Sequence, residues 1–185
     1  MLTHSTSYML CNPYAIEEDW VEIIGIDHVY IAVSDFEASE RFYVQVMKAL
    51  GFRKGVRPIA GEPHAHYFNR AIQYTIRPAR GAPRPTDPYS PGLHHLCLQV
   101  AGRAEVDELW RRLIAAGVAA TEPAEYPEYH DDYYATFFED PDGVRLEIVA
   151  RSRYREQIRE RWNDLRTFVN PIADLQAREG SAGEK

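Results

Sequence analysis

The sequence predicts an α+β fold made of two tandem βαβββ modules followed by a C-terminal helix, and three observations predict it. First, two segments repeat at an offset of 67 residues: Asp27-His28-Val29-Tyr30-Ile31-Ala32-Val33 and His94-His95-Leu96-Cys97-Leu98-Gln99-Val100. From His28 to Gly51 is 23 residues and from His95 to Gly117 is 22, so the copies stay aligned through Ala49-Leu50-Gly51-Phe52 and Ala115-Ala116-Gly117-Val118. Second, each copy passes from a period-two pattern to a helical one. Third, a proline-rich stretch separates the copies.

Taken in order, the first copy opens with Val29, Ile31 and Val33 on one face of a strand and His28, Tyr30 and Ala32 on the other. Ser34 and Asp35 supply a helix start signal, and Phe36, Phe42, Tyr43, Val46, Met47 and Leu50 recur at helical spacing behind them. Gly51 then stands where a helix end favours left-handed backbone. Pro58, Gly61 and Pro63 mark a loop, and residues 64–69 and 71–77 read as extended. Residues 78–92 carry five prolines and two glycines and hold the linker, taken as 81–92.

The second copy repeats the grammar. Leu96, Leu98 and Val100 oppose His95, Cys97 and Gln99; Val106, Leu109, Trp110 and Leu113 mark a helix; Gly117 ends it. Residues 135–139 and 144–150 read as strands joined by the turn Asp140-Pro141-Asp142-Gly143. The organisation is therefore an N-terminal extension (1–22), a first module (23–80), the linker, a second module (93–150) and a C-terminal helix and tail (151–185). The last helix is expected over 151–169, with Tyr154, Ile158, Trp162, Leu165 and Phe168 on one stripe.

A chain of 185 residues with 45% hydrophobic and 26% charged residues suits a compact globular protein. The net charge of −7 and the absence of an unopposed basic patch argue against nucleic acid, since Arg151 to Arg166 is interleaved with Glu156, Glu160 and Asp164. No apolar run approaches the roughly 18 residues of a membrane span, and no signal peptide is evident. Cys11 and Cys97 are too few for a disulfide framework, so a reducing cytoplasm is expected. The 12 tyrosines suit a polar-aromatic pocket or an interface.

Three residues have the chemistry of metal ligands. His28 and His95 occupy the same position in the two copies, on the face opposite the aliphatic residues, and Glu147 lies among the hydrophobic residues of the last strand. Pairing two such modules about a pseudo-twofold axis would bring both imidazoles and the carboxylate together. Two histidines and one carboxylate suit Fe(II), Mn(II), Ni(II) or Zn(II). His94 adjoins His95, but alternation turns it to the other face.

These residues resemble the vicinal oxygen chelate superfamily: glyoxalase I, fosfomycin and bleomycin resistance proteins, and type I extradiol dioxygenases. The resemblance covers about residues 25–150 and rests on Asp27-His28-Val29, Leu93-His94-His95-Leu96 and Glu139-Asp140-Pro141-Asp142-Gly143 leading to Glu147. It implies a cup-shaped mixed-sheet cleft, one divalent metal held by His28, His95 and Glu147, and a homodimer with modules paired within or between chains. Glyoxalase I-like members add a Glu or Gln from the first module, and aligning residues 72–75 with 146–149 sets Gln73 there. Extradiol dioxygenases carry a His, then a Tyr, then the turn and the ligand Glu. His130, Asp140, Pro141, Gly143 and Glu147 match that order, while Phe137 stands where those enzymes have Tyr.

The resemblance therefore implies an enzyme acting on a small molecule chelated through vicinal oxygens. An Fe(II) ring-cleaving dioxygenase leads, with His130 and Glu147 as catalytic residues and Tyr30, Gln73, Gln99 and Phe137 against the substrate. A glyoxalase-type lyase or isomerase follows, with Gln73 as fourth ligand and Glu147 as base. A non-catalytic antibiotic-binding protein is the third reading.

Overall fold

A computed structural model describes residues 23–82 and 86–162. Both repeats are βαβββ modules. The first comprises β1 (His28–Val33), α1 (Phe36–Ala49), β2 (Arg53–Val56), β3 (Ala65–Phe68) and β4 (Gln73–Pro78). The second comprises β5 (Leu96–Val100), α2 (Arg103–Ala115), β6 (Ala124–Glu125), β7 (Tyr134–Glu139) and β8 (Arg145–Ala150). The chain continues into α3 (Ser152–Glu160), the expected C-terminal helix. The N-terminal extension, and Leu165 and Phe168 of the helix stripe, lie outside the described residues.

The two sheets have the same topology, β1-β4-β3-β2 and β5-β8-β7-β6. In each, the first strand lies parallel to the fourth, and the other pairs are antiparallel. A parallel pair needs a crossover, and α1 and α2 begin it in each module, covering one face of their sheet. Asp35 caps α1 by accepting a hydrogen bond from the Ala38 amide at 3.0 Å. Gly51 and Gly117 end the helices at φ +81° and +78°, where a side chain would be strained. The βαβββ pattern implies β2 and β6, but the sequence does not locate them. Arg53-Lys54-Gly55-Val56 has no apolar alternation, and β6 is two residues long; both form because β3 and β7 offer them an edge.

One apolar cluster joins the helix-facing sides of both sheets. Ile31, Val33, Tyr43, Val46, Met47, Tyr74 and Ile76 of the first module meet Val106, Leu113, Phe138, Leu146 and Ile148 of the second. Each fully buried side chain of this kind contributes about 1.5–3 kcal/mol. A polar clasp runs through it. The buried Tyr43 hydroxyl donates to Asp140 Oδ2 at 2.7 Å and lies 2.8 Å from the Tyr74 hydroxyl. Asp140 Oδ1 also accepts from the amides of Asp142 (2.9 Å) and Val144 (2.8 Å). Asp142 in turn accepts from the Ser34 amide and hydroxyl. The turn between β7 and β8 thus fastens the second module to the start and middle of α1.

Because the core takes the helix-facing sides, each sheet keeps a second face outside that cluster. In the first module it carries His28, Tyr30, His66, Gln73 and Thr75; in the second it carries His95, Cys97, Gln99, Phe137, Arg145 and Glu147. No described helix is long and apolar enough to cross a membrane.

Candidate metal centre and substrate cavity

In the second module, the strand period places Arg145, Glu147, Val149 and Arg151 on one face of β8 and just past its end. The side chains of Tyr133, Phe137 and Arg145 close a cavity of about 510 Å³ around His95 and Glu147. Glu147 is 1% exposed. Its Oε1 accepts a hydrogen bond from the Tyr133 hydroxyl at 2.5 Å, and its Oε2 lies 3.1 Å from His95 Nε2. A buried carboxylate is costly unless both oxygens have partners, and here a phenol and an imidazole provide them. Burial first, and the Glu147 carboxylate second, push the Tyr133 hydroxyl well above the usual tyrosine range. Tyr133 therefore donates to Glu147 as a phenol.

Cys97 is the register partner of Glu147. Partial desolvation of its sulfur and the neighbouring carboxylate push the thiol far up, which disfavours the reactive thiolate. Alternation does not separate the two histidines: both precede β5, His94 Nδ1 lies 2.6 Å from His95 Nδ1 with the rings edge to face, and His94 lines the same cavity. Two guanidinium groups stack over the aromatic walls: Arg145 over Phe137 at 4.3 Å and Arg151 over Tyr133 at 5.5 Å.

The first module supplies a different set. His28 Nδ1 meets Asp27 Oδ2 at 2.7 Å, its side chain is 52% exposed, and its ring abuts Tyr30 edge to face. Gln73 is the register partner of His28 and donates to Thr75 Oγ1 at 2.8 Å. His66, 7% exposed, approaches the same hydroxyl at 3.0 Å. Tyr30, His66, Phe68 and Gln73 line a cavity of about 630 Å³.

The register revises one equivalence drawn from the sequence. Tyr30 and Cys97 correspond in the repeat; Tyr30 aligns with Thr75, and Cys97 with Glu147. Thr75, rather than Gln73, therefore stands at the strand position of Glu147. The core agrees, with Tyr74 and Ile76 matching Leu146 and Ile148. A two-residue slip preserves the alternation, so the sequence pattern fits both alignments equally.

Of the other expected site residues, Phe137 lines the Glu147 cavity, and Gln99 is exposed on the same face of β5. His130 sits in the turn before β7 with Nδ1 2.6 Å from Asp132 Oδ1; its neighbours Glu128 and Tyr129 line the cavity, and His130 is outside that wall. Sequence reading set Tyr133 in the cleft rim without a role and passed over Arg145. Their signal was strand alternation: 133, 135 and 137 share one face, and 145, 147 and 149 another stretch of it. Within one chain, the described residues hold no group of three or more His, Cys, Asp or Glu side chains arranged to bind a metal, so His28 does not join His95 and Glu147 there.

Comparison with known proteins places this arrangement. The model for the Glyoxalase/Bleomycin resistance protein/Dioxygenase superfamily matches residues 25–148, both modules almost end to end. The uncharacterized protein YqjT of Bacillus subtilis (strain 168) is 30% identical over 131 residues, covering 68% of this chain and 98% of that one. A crystal structure of a glyoxylase/bleomycin resistance protein/dioxygenase domain from Frankia sp. EAN1pec is 27% identical, covers 70% of this chain and 98% of its own, and superposes with a TM-score of 0.58. Lactoylglutathione lyase from Agrobacterium tumefaciens, 18% identical with 72% and 97% covered, shares the fold at a TM-score of 0.50. Repeated modules, matching sheet order and a match spanning both repeats make this chain a member of the glyoxalase/bleomycin resistance protein/dioxygenase superfamily.

Proposed function

We propose that the protein is a metal-dependent enzyme acting on a small molecule that presents two vicinal oxygens, with His28, His95 and Glu147 as ligands and ferrous iron as the metal. The observation that carries this reading is Glu147, buried to 1% exposure with one oxygen fixed by Tyr133 and the other facing His95 Nε2. A carboxylate and an imidazole held together at the wall of a cavity fit a divalent first-row ion. His28 would come from a second copy. Its half-exposed ring stands on the outer face of the first sheet, so a homodimer pairing that face with the partner's second sheet would complete the set.

When bound, ferrous iron in a two-histidine, one-carboxylate set leaves positions for a chelating substrate and dioxygen. The chain's own residues do the rest. Tyr133 holds the Glu147 carboxylate in one orientation, and such outer partners typically tune ligand geometry. Phe137 and Tyr30 would face the substrate ring, with Gln99 and Gln73 offering amides. His130, hydrogen-bonded to Asp132 just beyond the lining residues Glu128 and Tyr129, stands as acid–base candidate. Thr75 at the Glu147-equivalent position supports a three-ligand site and with it the ring-cleaving dioxygenase. The pairing of His28 with Gln73 supports the second reading, a lyase or isomerase with Gln73 as fourth ligand and Glu147 as base. A ferrous site also suits a reducing cytoplasm.

Elemental analysis of anaerobically purified protein, combined with oxygen uptake on catechols, tests the choice. Near-stoichiometric iron and iron-dependent uptake are the expected results. Nickel, zinc or manganese without uptake would support the lyase or isomerase. Failure to retain any of these ions after reconstitution would reduce the protein to a small-molecule binder.

A further inference from the structure

The cavity that holds His95 and Glu147 contains a cation that the proposed metal site does not use. Arg145 lies two residues before Glu147 on the same face of β8 and lines the same cavity. Its guanidinium rests on the Phe137 ring at 4.3 Å. Stacking of this kind fixes the plane of the fork while leaving its N–H edges free to meet an acceptor. The obvious internal acceptor is not engaged: Glu139 is the cross-strand neighbour of Arg145, yet among the described residues Arg145 makes no ion pair with Glu139 or any other carboxylate. A half-buried, pre-oriented guanidinium beside a small-molecule cavity is matched to a planar anion, because two parallel N–H···O bonds to a carboxylate give both strength and direction. Arg151, stacked on Tyr133 at the other flank of Glu147, lines the same cavity.

We infer that Arg145 makes this cavity selective for a carboxylate-bearing substrate, a small organic acid whose vicinal oxygens lie toward His95 and Glu147 while its carboxylate is gripped at the Phe137 end. The inference rests on the proposed function for the location of the vicinal oxygens. The cavity of about 510 Å³ has room for a single substituted ring or a short acid of similar size. Arg145 is a specificity residue in this account, acting on which substrate binds.

The test is calorimetric titration of the full chain with 3,4-dihydroxybenzoate and its neutral carboxamide, in wild type, Arg145→Met, Arg145→Lys and His95→Ala. Wild type is expected to prefer the carboxylate by at least about tenfold. Arg145→Met, whose side chain can still cover Phe137, should bring the two affinities within about twofold of each other by weakening the carboxylate far more than the amide. Arg145→Lys, which keeps the charge and loses the fork, should retain part of the preference. A wild-type ratio near one, a preference undiminished in Arg145→Met, or no binding of either compound would overturn the inference. His95→Ala separates it from the metal reading. If that variant binds both compounds as wild type does and keeps the preference, the anion site stands and the metal assignment fails. If it weakens both while wild type shows no preference, the metal assignment stands and the anion site fails.

Discussion

Glu147→Ala is expected to lower metal affinity by at least about 100-fold while the protein stays folded, since loss of a ligand should exceed the 10–100-fold effects typical of its outer partners. The substitution removes the buried carboxylate and leaves the Tyr133 hydroxyl and His95 Nε2 facing an alanine. Both lie at the cavity wall, where water can replace the missing acceptor, so the stability loss should be small beside the loss of metal. Tyr133→Phe keeps the carboxylate and removes its donor; a drop of about 10–100-fold is expected there. Equilibrium dialysis with ferrous iron under anaerobic conditions measures both. Wild-type affinity in Glu147→Ala would show that the buried carboxylate serves another purpose.

The second large effect concerns stability. Asp140→Ala is expected to destabilise the protein by about 2–4 kcal/mol, because it leaves the Tyr43 hydroxyl with Tyr74 as its one remaining partner and strands the part-buried amides of Asp142 and Val144. Tyr43→Phe removes one of those bonds and should cost about 1–2 kcal/mol. In urea unfolding the midpoint should fall in both variants with an unchanged slope; a loss below about 1 kcal/mol in Asp140→Ala would contradict the clasp. The pH dependence carries its own signature. Burial outweighs the donors around Asp140 and raises its carboxyl above the ordinary aspartate range. The stability it contributes is therefore fully present below the unfolded-state pKa and declines as pH rises through the folded-state pKa. Asp140→Asn should flatten that decline.

What the sequence made legible follows from periodicity. Val29, Ile31 and Val33 against His28 and Tyr30 set the faces of β1; Gly51 and Gly117 marked the helix ends; and Asp140 to Gly143 marked the turn. The pairing of His95 with Glu147 was readable because His95, just before β5, is in step with Cys97, the register partner of Glu147. Three features were hidden for physical reasons. β2 is polar and forms only against β3. The register of β4 is ambiguous by two residues, because Gln73 and Thr75 both satisfy the alternation. Tyr133 reaches Glu147 across the β7–β8 pair, 14 residues away, so its role depends on register and rotamer, neither of which a pattern records. How the modules associate is a long-range question of the same kind. The clasp from Tyr43 to Asp140 joins their helix-facing sides and leaves His28 on a face apart from His95.

The most direct test of a site shared between two copies is metal analysis after mixing His28→Ala and His95→Ala chains, unfolded together and refolded with ferrous iron. Each variant alone should retain almost no metal. In a mixed dimer, one site loses both histidines and the other keeps all three ligands; with random pairing, the mixture should recover about one quarter of wild-type metal. A mixture holding no more metal than either variant alone, beside fully loaded wild type, would contradict the shared site and put all three ligands in one chain.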